Sequence, residues 1–146
     1  LVLFNYVEKH GTPLYELINN NVDSARKVFF VHGGTDVEDR EEVRNLTETE
    51  SNAIIVASYG TFSTGINIKR LHNIVFASPS KSRIRNLQSI GRVLRKGEGK
   101  DIATLYDIAD DIGGQNYTLK HLNERVNIYN NENFKYEVIR INLRAN

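Results

Sequence analysis

Short apolar runs alternate with longer amphipathic stretches along the whole chain. Leu1–Tyr6, Val28–Val31, Ala53–Ala57, Ile74–Ala77 and Ala103–Ile108 read as strands, and Tyr136–Leu143 reads as a last one. Helices fall between them. Thr12 at N-cap with Pro13 at N1 opens a helix running to about Asn20. Thr35-Asp36-Val37-Glu38 has capping-box spacing and opens a second, to about Thr47. Ser82–Arg95 and Leu119–Asn130 are the next two.

Strands regularly interleaved with helices imply an α/β domain, with a mostly parallel sheet covered by helices on both faces. The run Ile54-Ile55-Val56-Ala57 agrees, because parallel strands are buried on both sides. In such folds ligands bind beyond the carboxyl ends of the strands. The loops after Val31, Ala57 and Ala77 are therefore the places to expect chemistry. Residues 111–146 carry no motif and are expected to close the fold with a helix and an edge strand.

A length of 146 residues fits one domain, and 40% hydrophobic with 25% charged residues is ordinary for a globular protein. Without cysteine there is neither a disulfide framework nor a thiolate metal site. This accords with a reducing compartment. No apolar run approaches the roughly 18 residues that span a bilayer. The opening Leu-Val-Leu-Phe has no basic n-region and reads as a strand cut from a longer polypeptide.

Charge changes the picture more. Residues 1–68 carry 5 Lys/Arg and 10 Asp/Glu, residues 69–100 carry 9 and 1, and residues 101–146 carry 5 and 7. The net charge of +1 is thus built from −5, +8 and −2. A central basic block in an acidic domain fits a phosphate-bearing partner or, equally on charge alone, a solvated basic face.

The helix Ser82–Arg95 sharpens that choice. At 100° per residue Arg85, Gln88, Arg92 and Arg95 fall within about 80° of one another, opposite Leu87, Ile90, Val93 and Leu94. Guanidinium is planar, always charged and bidentate, so the polar stripe suits phosphate. Residues 80–97 hold no carboxylate to neutralise it, which weighs against a merely solvated face. Gly91 sits mid-helix at a cost of about 1 kcal/mol and points to close approach by another backbone or a ligand.

Two loops add to it. Gly60-Thr61-Phe62-Ser63-Thr64-Gly65 has the frame of a P-loop but continues Ile66-Asn67 instead of Lys-Ser/Thr, so it cannot cradle a nucleotide in the P-loop manner. Its hydroxyls, with Ser58 before them, suit a sugar-phosphate chain, or simply a polar turn. His32-Gly33-Gly34-Thr35 leads from a strand into a helix start, a place where anions bind. A lone His there is more often structural. No metal site and no Ser-His-Asp arrangement is expected.

In order and spacing these features resemble the second RecA-like domain of superfamily 2 helicases. Gln88-Ser89-Ile90-Gly91-Arg92-Val93-Leu94-Arg95 looks like that superfamily's motif VI, Gln-x-x-Gly-Arg-x-x-Arg. Ala57–Ile68 resembles motif V, with Asn67 where the usual form has Asp. Val31–Gly34 followed by Asp39-Arg40 is similar to the motif IVa region, and Leu1–Asn5 to the motif IV strand. Within the superfamily the chain most resembles the recombination and repair helicases of T-even phages.

The resemblance implies a RecA-like three-layer sandwich and a role in remodelling branched DNA: Holliday-junction migration, fork regression, and unwinding of D-loops and R-loops. It implies that Arg92 and Arg95 are arginine fingers reaching the γ-phosphate of ATP. Gln88, Gly65 and Asn67 would lie at the ATP cleft. His32, Gly33, Ser58, Thr61 and Arg85 would touch the nucleic-acid backbone. ATP with Mg2+ would be held mainly by an N-terminal RecA-like domain of the same polypeptide, since this chain has no Gly-Lys-Ser/Thr loop and no Asp-Glu-x-His box. The enzyme would work in the cytoplasm, the host's if phage-encoded, and this domain alone would not hydrolyse ATP. An RNA helicase domain and a non-catalytic nucleic-acid-binding module are the alternatives.

Overall fold

A computed structural model of the chain describes residues 1–63, 71–78, 103–114 and 117–143. The described strands are β1 (Val2–Phe4), β2 (Val28–Val31), β3 (Ile54–Ser58), β4 (Asn73–Phe76) and β5 (Thr104–Asp107). Helices α1 (Thr12–Asn21) and α2 (Val37–Thr49) lie between the first three strands. A short α3 (Tyr59–Ser63) follows β3, and α4 (Tyr117–Asn131) follows β5. The expected helix Ser82–Arg95 lies outside the described residues.

The strands form one sheet in the order β2-β3-β1-β4-β5, with every neighbouring pair parallel. Register aligns Val31 with Ala57, Ala57 with Leu3, Leu3 with Phe76, and Phe76 with Asp107. Because side chains alternate across a strand, that row and its period-2 neighbours share one face. Leu3, Val31, Ile55, Ala57, Ile74 and Phe76 form the main core there, joined by Val43 of α2 and Val126 and Tyr129 of α4. The opposite face carries Phe4 and Phe30, whose rings lie 5.7 Å apart, and Tyr15 of α1 stacks on Phe30 at 5.1 Å. Thus α1 covers one face and α2 the other, as right-handed crossovers running in opposite directions along a sheet require, and α4 packs beside α2 on the second face.

Three local expectations are corrected. Thr12 does not cap α1: its backbone is already helical (φ −62°, ψ −52°), because a π-helical turn, Val7–Gly11, runs directly into the helix. A Cβ on Gly11 would lie 2.4 Å from the Phe4 ring, so the turn seats against β1 only with glycine there. The capping box of α2 does not form. Asp36 is the N-cap residue and makes no side-chain cap bond, while the Thr35 hydroxyl accepts the His32 N–H at 3.0 Å. Finally, Tyr136–Leu143 is not a strand. It has no ladder partner among the described residues, and Val138, Ile139, Ile141 and Leu143 are each at least 71% exposed. Apolar residues give a segment strand propensity, but a strand also needs an edge to pair with.

Candidate nucleotide and nucleic-acid interface

Parallel strands bring their carboxyl ends to one edge of the sheet. Along that edge stand, in spatial order, His32 after β2, Ser58 closing β3, Asn5 after β1, Ser78 beyond β4 and Asp107 closing β5. At the usual strand spacing the row is about 19 Å long. The chain leaves β1 toward β2 and leaves β4 toward β5, so a crevice is expected between β1 and β4. Asn5 ties its two sides together: its N–H donates to Ser78 Oγ at 3.0 Å and its Nδ2 to the Ser78 carbonyl at 2.6 Å. Asn5 and Ser78 were not picked out from the sequence. A polar residue ending an apolar strand was the available signal.

The turn after β2 is held at several points. Thr35 N–H donates to the His32 carbonyl at 2.9 Å, and Thr35 Oγ1 accepts from the His32 N–H. Gly34 N–H donates to His32 Nδ1 at 3.1 Å. The imidazole lies 5.1 Å from the Phe30 ring, on the α1 side of the sheet. The two glycines differ in what they are for. A Cβ on Gly34 would come within 3.0 Å of His32 Cε1, whereas one on Gly33 would meet nothing within 4 Å. Gly34 is thus packed tightly against the histidine, while no described residue crowds Gly33.

Ser58 and Thr61 are both buried, at 8% and 4% exposure. Their hydroxyls bond each other at 2.8 Å, and Ser58 Oγ also accepts the Thr61 N–H at 3.3 Å. This is the bond of a helix N-cap, and it fixes how the chain turns from β3 into α3. Both hydroxyls therefore shape the turn and do not face solvent. Gly65, Asn67, Arg85, Gln88, Arg92 and Arg95 lie outside the described residues.

One further group at this edge escaped the sequence reading. Asp107 accepts from Arg125 Nε at 2.7 Å and from Nη2 at 2.8 Å, and from the Tyr129 hydroxyl at 2.5 Å. The Arg125 side chain is 1% exposed and that of Asp107 10%. Burial, and then the Asp107 charge and hydrogen bond, push the Tyr129 phenol well above its ordinary value. The group bolts α4 to the edge strand. Its sequence signal was an arginine inside the apolar stripe Leu122, Val126, Tyr129.

Residues 1–97 match the family described as helicase conserved C-terminal domain. The chain belongs to that family. It is 43% identical over 97% of its length to the ATP-dependent DNA helicase UvsW of Enterobacteria phage T4, and it spans 30% of that relative. The crystal structure of T4 UvsW superimposes with a TM-score of 0.70 at 42% identity, covering 91% of this chain and 29% of that one. A putative ATP-dependent RNA helicase of Acanthamoeba polyphaga mimivirus is 32% identical over 66% of the chain, which spans 17% of it. The chain is thus a RecA-like helicase C-terminal domain, and its relatives are several times longer. Among the described residues no helix is long and apolar enough to cross a membrane.

Proposed function

We propose that this helicase C-terminal domain is the second motor domain of an ATP-dependent DNA helicase that remodels branched DNA in recombination and repair. The observation that carries the reading is 43% identity across nearly the whole chain to a DNA helicase. In this reading the domain is one part of a longer polypeptide and faces an N-terminal RecA-like domain. Holliday junctions, forks, D-loops and R-loops are its substrates, met in the cytoplasm, the host's if the protein is phage-encoded.

Among the described residues no group of three or more His, Cys, Asp or Glu converges to hold a metal ion, and Gly60–Gly65 lacks the P-loop lysine. The described residues do not fit a cradle for ATP and Mg2+, so the preceding domain is assigned both. This domain contributes the guanidiniums of Arg92 and Arg95 to the γ-phosphate, with Gln88, Gly65 and Asn67 at the cleft. Asn67 stands where the motif usually has Asp and so brings no charge to the cleft. A cleft completed from both sides closes on ATP and opens once the phosphate is released, and the opening moves the strand-gripping loops. His32, Gly33 and Arg85 meet the nucleic-acid backbone. Ser58 and Thr61, buried and bonded to each other, hold the adjoining loop in shape.

The test is steady-state ATPase of the full-length polypeptide with saturating branched DNA. Arg92→Ala and Arg95→Ala are each expected to lower turnover by ~10²–10³, less than the full effect of an arginine finger. ATP binding should weaken far less, since the gain is concentrated in the transition state. Lysine should rescue neither position. Arg85→Ala should weaken DNA binding more than turnover. Near-wild-type turnover in both variants would overturn the assignment. The similarity to a putative RNA helicase favours a second reading, with RNA as substrate. Unwinding RNA duplexes in preference to DNA forks would decide for it.

A further inference from the structure

We propose that His32 meets the nucleic-acid backbone as a neutral imidazole locked in one tautomer, donating from Nε2–H to a phosphate oxygen, with Gly34, Thr35 and Phe30 as its positioning residues. The proposal rests on the reading that this turn meets nucleic acid, and it adds the chemical form in which the histidine does so.

A backbone N–H can only donate, so the 3.1 Å bond from Gly34 N–H to His32 Nδ1 requires a lone pair on Nδ1. A neutral imidazole with its lone pair there carries its proton on Nε2, and an imidazolium, protonated at both nitrogens, cannot accept the bond. Nε2 itself has no hydrogen-bond partner among the described residues.

Other contacts hold the ring in that orientation. Phe30, two residues earlier on β2 and on the same face, lies 5.1 Å beneath it and is itself stacked on Tyr15. A Cβ at position 34 would stand 3.3 Å from Nδ1 and 3.0 Å from Cε1, so glycine is what lets the ring sit so close to its donor. The two Thr35 bonds close the turn over the His32 backbone. One acceptor is thus satisfied internally and one donor is left over, half-exposed, at the carboxyl edge of the sheet. Beside it Gly33 is exposed, with open space where its Cβ would be. A phosphodiester oxygen, an acceptor with no proton to give, is the group of a nucleic acid that such a site takes.

Two substitutions separate the two nitrogens. In His32→Asn the side-chain oxygen can replace Nδ1 as acceptor for Gly34, but no donor stands at the Nε2 position. In His32→Gln a donor reaches the Nε2 position while the Nδ1 acceptor is lost. The experiment uses the full-length protein, a fluorescently labelled DNA fork across a salt series, and nitrogen-15 spectra of the labelled histidines with His32 assigned from its variants. Nε2-protonated His32 is expected. His32→Asn should bind the fork about tenfold more weakly, the loss of one hydrogen bond to a charged group, and His32→Gln should bind more tightly than His32→Asn. A neutral donor displaces no counterion, so His32→Asn should leave the slope of log affinity against log salt unchanged, whereas Arg85→Ala should reduce it by about one. An Nδ1-protonated ring, wild-type affinity in His32→Asn, or a salt slope that falls with His32→Asn would each overturn the proposal. Should the wild-type protein fail to bind the fork at all, the proposal falls with the reading beneath it, even where the spectra show Nε2–H.

Discussion

Asp107→Asn is the substitution whose cost the structure fixes most closely. The carboxylate receives two guanidinium N–H groups and a phenol, all within 2.8 Å. An amide of the same shape keeps one oxygen acceptor and removes the charge. The guanidinium of Arg125, 1% exposed, would then stay buried with no counter-charge. Its Nη1 already has no partner among the described residues. Breaking a buried pair by neutralising one member costs about 3–5 kcal/mol, because the surviving charge pays desolvation without return. For a domain of this length that is roughly a 10–15 °C drop in melting temperature. Circular dichroism at 222 nm on the purified chain reads it. Glu16→Gln, at an exposed position of α1, is the control and should stay within about 0.5 kcal/mol. Adding Arg125→Met to Asp107→Asn removes the stranded charge and should restore part of the loss. If Asp107→Asn melts within 2 °C (about 0.7 kcal/mol) of the wild type, the pair is not the bolt between α4 and β5 that the geometry describes.

The remaining predictions concern the turn after β2 and the same buried phenol. Gly33→Ala should leave stability unchanged or slightly raised, by about 0.4–1 kcal/mol at most, yet weaken binding of a DNA fork. Gly34→Ala should disturb the His32 ring, visible as a shifted imidazole resonance, and weaken binding too. Equal and unaltered fork affinity in both would show that the turn meets no nucleic acid. For Tyr129 the sign follows from its raised folded-state pKa. The unfolded chain releases the phenol proton near pH 10 while the folded chain holds it. Tyr129's contribution is therefore complete below about pH 10 and declines above it, as unfolding becomes favoured. In Tyr129→Phe the denaturation midpoint should be lower at neutral pH and fall less steeply above pH 10. A midpoint as pH-dependent as the wild type's would refute the assignment.

How much of this was legible in the sequence follows from which interactions are local. The central strands β1, β3 and β4 showed as apolar runs because they are buried on both sides, β2 and the more exposed edge strand β5 showed by apolar composition, and the spacing with helices announced the sheet. That the loops after Val31 and Ala57 lie together at one edge was legible for a related reason, since parallel topology alone brings carboxyl ends together. What escaped depends on pairing at a distance. The hydroxyl of Thr35 chose between two local partners, the helix it precedes and the histidine behind it, and sequence spacing pointed to the wrong one. Tyr136–Leu143 has the composition of a strand, but composition does not supply an edge. Asp107, Arg125 and Tyr129 come together only once α4 is laid on the sheet, so a carboxylate ending β5 gave no sign of its partners 18 and 22 residues away.

On the proposed reading this domain completes a motor without being one. The most direct measurement is ATP hydrolysis by the purified 146-residue chain and by the full-length polypeptide, side by side, with saturating branched DNA. DNA-stimulated turnover is expected from the full-length protein and none above background from the chain. Robust DNA-stimulated hydrolysis by the chain alone would contradict it, because the chain would then hold a complete phosphate cradle of its own.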